Sequence, residues 1–90
     1  MMHEITTILT GEEVLGRAKT FFVERVPQYS AFPEKAGPGY ATFRGQGGEE
    51  IAVAVFEVEN GVRVRASSML HDQTIGRFLS TLPRVEIEAV

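Results

Sequence analysis

The residues best suited to catalysis in this chain are a histidine and the carboxylates that could reach it. His71 is followed directly by Asp72, and an imidazole near a carboxylate can act as a general acid or base. Adjacent residues of a helix point in different directions, so a catalytic pair would need a further carboxylate, such as Glu4 or Glu86. A polar pair at the start of a helix is the simpler interpretation, and it leaves an enzyme using His71 as the alternative hypothesis.

Other motifs that carry chemistry are incomplete. The chain has no cysteine, which excludes disulfides and thiolate metal sites, and its histidines lack metal-ligand spacing. The stretch Gly45–Gly48 is rich in glycine, but it lacks the Lys-Ser/Thr of a phosphate loop and leads into a predicted strand. Ser67 and Ser68 have no nucleophile motif around them. We therefore expect no metal, no cofactor and no catalytic residue.

Two arginines have a spacing that suits anion binding. Arg63 and Arg65 alternate along a predicted strand, so their guanidinium groups share one face and could donate charge-assisted hydrogen bonds to an anion. The competing interpretation is a solvated cross-strand ion pair between Glu57 and Arg63.

These arginines belong to a predicted hairpin, because two β-rich runs flank Asn60-Gly61. A two-residue Asn60-Gly61 loop would set charged residues opposite apolar ones near the turn. A three-residue loop, Glu59–Gly61, avoids this conflict by pairing Val58 with Val62. We therefore predict the three-residue loop, with Gly61 in a left-handed conformation.

That register predicts the two faces of the sheet. The first is wholly apolar and should meet the helices; it carries Ala52, Ala54, Phe56, Val58, Val62, Val64 and Ala66. The second is apolar at one end and charged at the other; it carries Ile51, Val53, Val55, Glu57, Arg63, Arg65 and Ser67. If Ala41 and Phe43 lie on the first face, Tyr40 joins the second.

The second face provides the candidate binding residues. Contiguous exposed apolar area usually marks an interface or a ligand groove, although a terminal segment could also cover it. The candidate interface and ligand residues are Tyr40, Ile51, Val53, Val55, Arg63 and Arg65.

The remaining elements follow from local signals. Thr10 and Glu13 form a capping box, and an apolar stripe at helical spacing predicts a helix over 11–25. A second helix is predicted over 69–82, capped by Ser68 or Asp72. Its Gly76 would mark a close approach to the sheet. Further strands are predicted over 3–9, 28–32, 40–44 and 85–89, and a loop over 33–39.

Together these elements predict a single α+β domain spanning residues 1–90, in the order β-α-β-β-β-β-α-β. Both helices should pack on one face of a twisted, mainly antiparallel sheet. The order is similar to that of small TBP-like or helix-grip domains, in which a curved antiparallel sheet holds a helix. This similarity concerns topology alone and implies no function.

Charge and hydrophobicity argue against nucleic-acid-binding and membrane proteins. A net charge of −3 and a pI near 5.3 argue against a nucleic-acid surface, which usually carries a basic stripe. No segment approaches the ~20 apolar residues of a membrane span, and the N-terminal sequence does not have the pattern of a signal peptide. We therefore expect a cytoplasmic protein that binds neither nucleic acid nor membrane.

These observations favour a small, non-catalytic binding or interaction domain that forms a homodimer through the open face of its sheet. A small apolar or anionic ligand is a further candidate occupant of that face.

Overall fold

The computed structural model describes residues 2–25, 32–45, 50–68 and 72–84. In these residues the elements are β1 (Met2–Thr7), α1 (Gly11–Lys19), a π-helix (Thr20–Arg25), β2 (Phe32–Gly37), β3 (Tyr40–Arg44), β4 (Glu50–Val58), β5 (Gly61–Ser68) and α2 (Asp72–Ser80). The α+β class and the predicted order as far as α2 are confirmed. The strand predicted over 85–89 lies outside the described residues.

The strands form one antiparallel sheet with the order β1-β5-β4-β3-β2. Both described helices pack on the same face, since α1 lies against β4 and α2 lies against β5 and β1. Three phenylalanine rings join the layers at the centre: the Phe22 ring lies 5.5 Å from that of Phe43 and 5.2 Å from that of Phe78. Among the described residues, the helices therefore cover one face of the sheet and leave the other uncovered.

The first helix begins as its sequence predicts. The amide of Glu13 donates to the Thr10 hydroxyl over 3.1 Å, and the Thr10 amide donates to the Glu13 carboxylate over 3.0 Å. The predicted apolar stripe is confirmed, because Val14, Ala18 and Phe22 are buried. The helix also continues to Arg25 as predicted, although its last six residues form a π-helix, which the apolar spacing did not indicate.

The predicted apolar stripe of the second helix is buried at Ile75, Phe78, Leu79 and Leu82. The helix ends at Ser80 instead of residue 82, so Leu82 lies just after it. The expectation for Gly76 is wrong: this glycine is exposed, and a Cβ placed there would meet nothing within 4 Å. Ser68 is the last residue of β5. The residues between it and Asp72 lie outside the described part of the chain, so the predicted cap remains a prediction.

The loop predicted over 33–39 is wrong for most of its length, because Phe32–Gly37 forms β2 at the edge of the sheet. An edge position tolerates Pro33, whose missing N–H is not needed on the outer side. The pairing with β3 shifts register between Pro33 and Lys35. Only Pro38 and Gly39 form the turn, and the Gly39 carbonyl accepts from the Val55 amide over 2.9 Å.

The β4–β5 loop also differs from the prediction. Val58 pairs with Gly61, so the loop contains two residues, Glu59 and Asn60, and the predicted three-residue loop is wrong. Gly61 has a φ of 158° and is the first residue of β5 instead of a left-handed loop residue.

This shift of one residue exchanges the two faces of β4 relative to β5. The prediction for β5 is confirmed, because Val62, Val64 and Ala66 are buried. Ile51 and Val53 are each 1% exposed in the core, and the partly buried Val55 packs against the same cluster. The prediction that these three residues lie on an exposed face is therefore wrong. The prediction that Ala54 and Phe56 share the helix-covered face is also wrong, because Ala54 pairs with Arg65 and Phe56 with Arg63 on the opposite side.

The exchange has a physical reason in side-chain size. The buried side of β4 carries three β-branched residues, whereas the other side carries alanines at 52 and 54. Burying the larger apolar area stabilises the fold more, at about 25 cal/mol per Å². Ala41 and Phe43 are buried as predicted, but they pair with Val53 and Ile51.

Candidate functional site

The candidate site is the face of the sheet that neither described helix covers, here called the open face. Strand register places its residues in rows that run across the sheet, since directly paired residues share a face. Its larger residues and their neighbours are Met2, Glu4, Thr6, Lys35, Tyr40, Thr42, Arg44, Glu50, Ala52, Ala54, Phe56, Val58, Arg63, Arg65 and Ser67.

One part of the open face carries large side chains. In one row Tyr40 and Arg65 flank Ala54, and in the next row Arg63 pairs with Phe56. The Tyr40 and Phe56 side chains are each 44% exposed. The guanidinium carbon of Arg65 lies 5.2 Å from the centre of the Phe56 ring, which is cation–π geometry. We call Tyr40, Phe56, Arg63 and Arg65 the bulky half.

Small side chains occupy the central part of the adjacent row, where Thr42 and Ser67 flank Ala52. All three residues are half-buried, and we call them the small half. Met2 and Lys35 lie at the two ends of the same row, on the outer strands β1 and β2. The side chains that flank Ala54 extend further from the sheet than those that flank Ala52. The open face therefore has a step between these two rows.

Two ion-pair clusters lie at the margins of the open face. Arg65 donates from Nε to Glu4 over 2.6 Å. Arg44 donates to both Glu34 oxygens, over 2.5 and 2.8 Å, and its Nη2 lies 3.6 Å from the Glu50 carboxylate. The hydrogen bond from Arg44 lowers the pKa of Glu34, and the hydrogen bond to Glu34 raises the pKa of Arg44.

Arg63 differs from the other two arginines of this face. It is exposed, and within the described ranges no carboxylate lies within 4.0 Å of its guanidinium group. The predicted cross-strand pair with Glu57 is wrong, because Glu57 pairs with Val62 and belongs to the other face. Arg63 is therefore a cation available to a binding partner.

Of the predicted site residues, the structure brings three together on the open face: Tyr40, Arg63 and Arg65. Phe56 was assigned to the core by the predicted hairpin register, although its ring forms part of the exposed surface. The alternation of β-branched residues with alanine along β4 is the signal that could have identified this face.

The residues of the alternative enzyme hypothesis are not brought together in the described part of the chain. Glu4 bonds to Arg65, Asp72 is the first residue of α2, and His71 and Glu86 lie outside the described residues. The described ranges contain no group of three or more His, Cys, Asp or Glu that could hold a metal ion.

Two clefts lie away from the centre of the open face. One, of about 580 Å³, lies beside α1 and the end of α2, with Gly16, Thr20 and Thr81 in its lining. The other, of about 320 Å³, lies between the start of α1 and the β2–β3 turn. Glu12 and Glu57 both line it, so its charge does not suit an anion.

Comparison with known proteins gives no relative: no family model, curated protein or solved structure matches this chain. None of the described helices is long and apolar enough to cross a membrane. The geometry of the open face is thus the basis for a functional proposal.

Proposed function

We propose that this chain is a small, non-catalytic interaction domain that self-associates through its open face. The observation that supports the proposal is a sheet with both described helices on one side and exposed aromatic rings on the other. Tyr40 and Phe56 lie on adjacent strands of that uncovered side, and clustered exposed apolar groups usually mark an interaction surface.

The aromatic rings would supply much of the driving force. Covering the exposed part of one such ring removes on the order of 80–100 Å² of apolar surface, which contributes about 2 kcal/mol. Aromatic residues and arginine are also the residues most often found at energetically dominant interface positions. Phe56, which lies beside two arginines, is therefore expected to contribute most to the interface.

The size of the face suits a reversible dimer. Five strands about 4.8 Å apart and about 20 Å long give roughly 500 Å² for each copy. Two such faces would bury about 1,000 Å² in total, which is near the lower limit for a specific interface. We therefore expect a dimer that dissociates on dilution instead of an obligate one.

The charges of the face favour a second copy over a nucleic acid. Glu4 and Glu34 neutralise Arg65 and Arg44 within the face itself, so the face has no continuous basic stripe of the kind that follows a phosphate backbone. A surface that carries both signs can be complementary to itself across a two-fold axis.

The test is sedimentation equilibrium over a range of protein concentrations with Phe56→Glu. Wild type should populate dimers at high micromolar concentration, and the variant should remain monomeric because a carboxylate would replace an aromatic ring within the interface. Gln73→Glu is the matched control, since it adds the same charge at an exposed position of α2.

Circular dichroism would establish that both variants keep the wild-type secondary structure. A wild-type chain that stays monomeric at high micromolar concentration would contradict the proposal. So would a Phe56→Glu variant that folds and associates as strongly as Gln73→Glu.

A further inference from the structure

We propose that the two copies stack with their two-fold axis running across the strands, between the rows of Ala52 and Ala54. This arrangement rests on the proposed self-association and adds to it a register and a specific ion pair. Tyr40 and Arg65, the part of the bulky half in the row of Ala54, then lie on the small half of the other copy. Arg63 of each copy pairs with Glu50 of the other.

The shape of the open face supports this register. The row through Ala54 carries Tyr40 and Arg65, whereas the row through Ala52 carries Thr42 and Ser67. The proposed axis exchanges these two rows, which lie about 6.6 Å apart along the strands. Tyr40 of one copy then lies over Thr42 of the second copy, so on the central strands β3, β4 and β5 the two faces are complementary in shape.

A two-fold axis parallel to the strands would give a poorer fit. It would place each row against the same row of the second copy, so Phe56 would meet Phe56 and the rows through Ala52 would face each other across a gap. Voids of this kind lose dispersion contacts, whereas well-packed interfaces have the packing density of protein interiors.

The charges support the same arrangement independently. Glu50 is exposed, with 52% of its side chain accessible, and its carboxylate lies 3.6 Å from Arg44. Arg44 already donates two shorter hydrogen bonds to Glu34, so Glu50 is only weakly held. It is the carboxylate of the face that is most available to a cation from outside.

The positions of the two groups fit the proposed axis. Arg63 pairs with Phe56, and Phe56 lies six residues along β4 from Glu50. The cation and the carboxylate are thus about 20 Å apart within one copy. The axis lies midway between their rows and brings the row of Arg63 onto the row of Glu50 of the second copy, which gives two symmetric ion pairs in each dimer.

The experiment is a charge-reversal cycle followed by sedimentation equilibrium. Arg63→Glu and Glu50→Arg should each weaken association by about tenfold or more, because each places two pairs of like charges opposite each other. The double variant, Arg63→Glu with Glu50→Arg, should restore the dissociation constant to within about threefold of wild type, because it regenerates both ion pairs in reverse.

Arg77→Glu is the matched control for the charge change, since Arg77 is exposed on α2 in the helical layer. Association of the control should remain close to that of wild type. Thermal unfolding of every variant at a concentration where it is monomeric would separate loss of fold from loss of contact.

The results distinguish the arrangement from the function on which it rests. If wild type dimerises and Phe56→Glu abolishes the dimer, but the double variant is no better than the single ones, the proposed register is wrong and self-association stands. A wild-type chain that never dimerises overturns both.

Discussion

Val53 and Phe56 lie three residues apart on β4 and point to opposite sides of the sheet. Val53 is buried in the core beneath the helices, whereas Phe56 is exposed on the open face. A change of polarity at these two positions should therefore affect different properties, namely the free energy of unfolding at Val53 and association at Phe56.

We predict that Val53→Ala lowers the free energy of unfolding by about 2 kcal/mol. The loss combines the transfer free energy of the removed methyl groups with the cost of the cavity that remains. Chemical denaturation followed by circular dichroism would measure this loss.

Val58→Ala is the matched control. It removes the same groups from a half-buried residue of the same strand on the open face, and its loss of unfolding free energy should be less than half as large. Equal losses at both positions would contradict the assignment of the faces.

The ion pair between Arg44 and Glu34 gives the stability of the protein a dependence on pH. The hydrogen bond from Arg44 lowers the folded-state pKa of Glu34 below its ordinary value of 4.5. The ionised carboxylate therefore stabilises the fold above that ordinary value, and the contribution is lost as the pH falls through the lowered pKa. The effect should be small, because the pair is exposed to solvent.

We predict that Glu34→Gln lowers the unfolding free energy slightly at neutral pH and leaves it unchanged below the folded-state pKa of Glu34. Denaturant titrations at a series of pH values would measure the difference between wild type and variant. Glu59→Gln, at an exposed position of the β4–β5 loop, serves as the control. A difference that persists unchanged into acid would exclude the carboxylate of Glu34 as its source.

At the scale of elements, the helices were predictable because their signals are local. Thr10 and Glu13 lie three residues apart and form the same capping box in any context. The apolar spacing of α2 likewise identified Phe78 and Leu82 as core residues, and both are buried. The π-helix was not predictable, because the apolar stripe it carries is compatible with an α-helix as well.

The β4–β5 hairpin shows why strand register is harder to predict. The prediction avoided charges opposite apolar residues, but the structure places Arg63 opposite Phe56. The flexible arginine side chains tolerate this pairing, since that of Arg65 extends over the Phe56 ring. Side-chain volume explains the register better. A comparison of the two sides of β4, with Ile51 and Val55 on one and the smaller alanines on the other, would have predicted which side is buried.

The structure makes different predictions for two helical glycines. Gly76 lies inside α2, is exposed, and has open space where a Cβ would be. Gly76→Ala should therefore raise the unfolding free energy by about 0.5–1 kcal/mol through higher helix propensity. Gly11→Ala is the contrasting variant, because its Cβ would lie 2.9 Å from a methyl group of Val55. Thermal melts that show equal stabilisation by both changes would contradict the packing of α1 against β4.

At the scale of the whole molecule, a run of adjacent strands bracketed by two helices was enough to predict the α+β class. Which side of the sheet stays open was not predictable in the same way, because it depends on pairings between residues distant in sequence. Tyr40 lies on the open face because it pairs with Ala54, and Glu4 lies there because it pairs with Arg65. The predicted binding residues were therefore divided between the surface and the core.

The irregular pairing of β2 limits how large an assembly of this protein can become. Pro33 offers no N–H, the register shifts next to it, and Lys35 carries a charge on the same edge strand. A strand from another molecule could not continue the hydrogen-bond ladder there, so growth into fibres by edge addition is blocked at this side. A pair joined through the open face has, in contrast, used the binding surface of both members. The proposed assembly would therefore be closed at two chains. Adding protein would raise the number of dimers without producing larger assemblies.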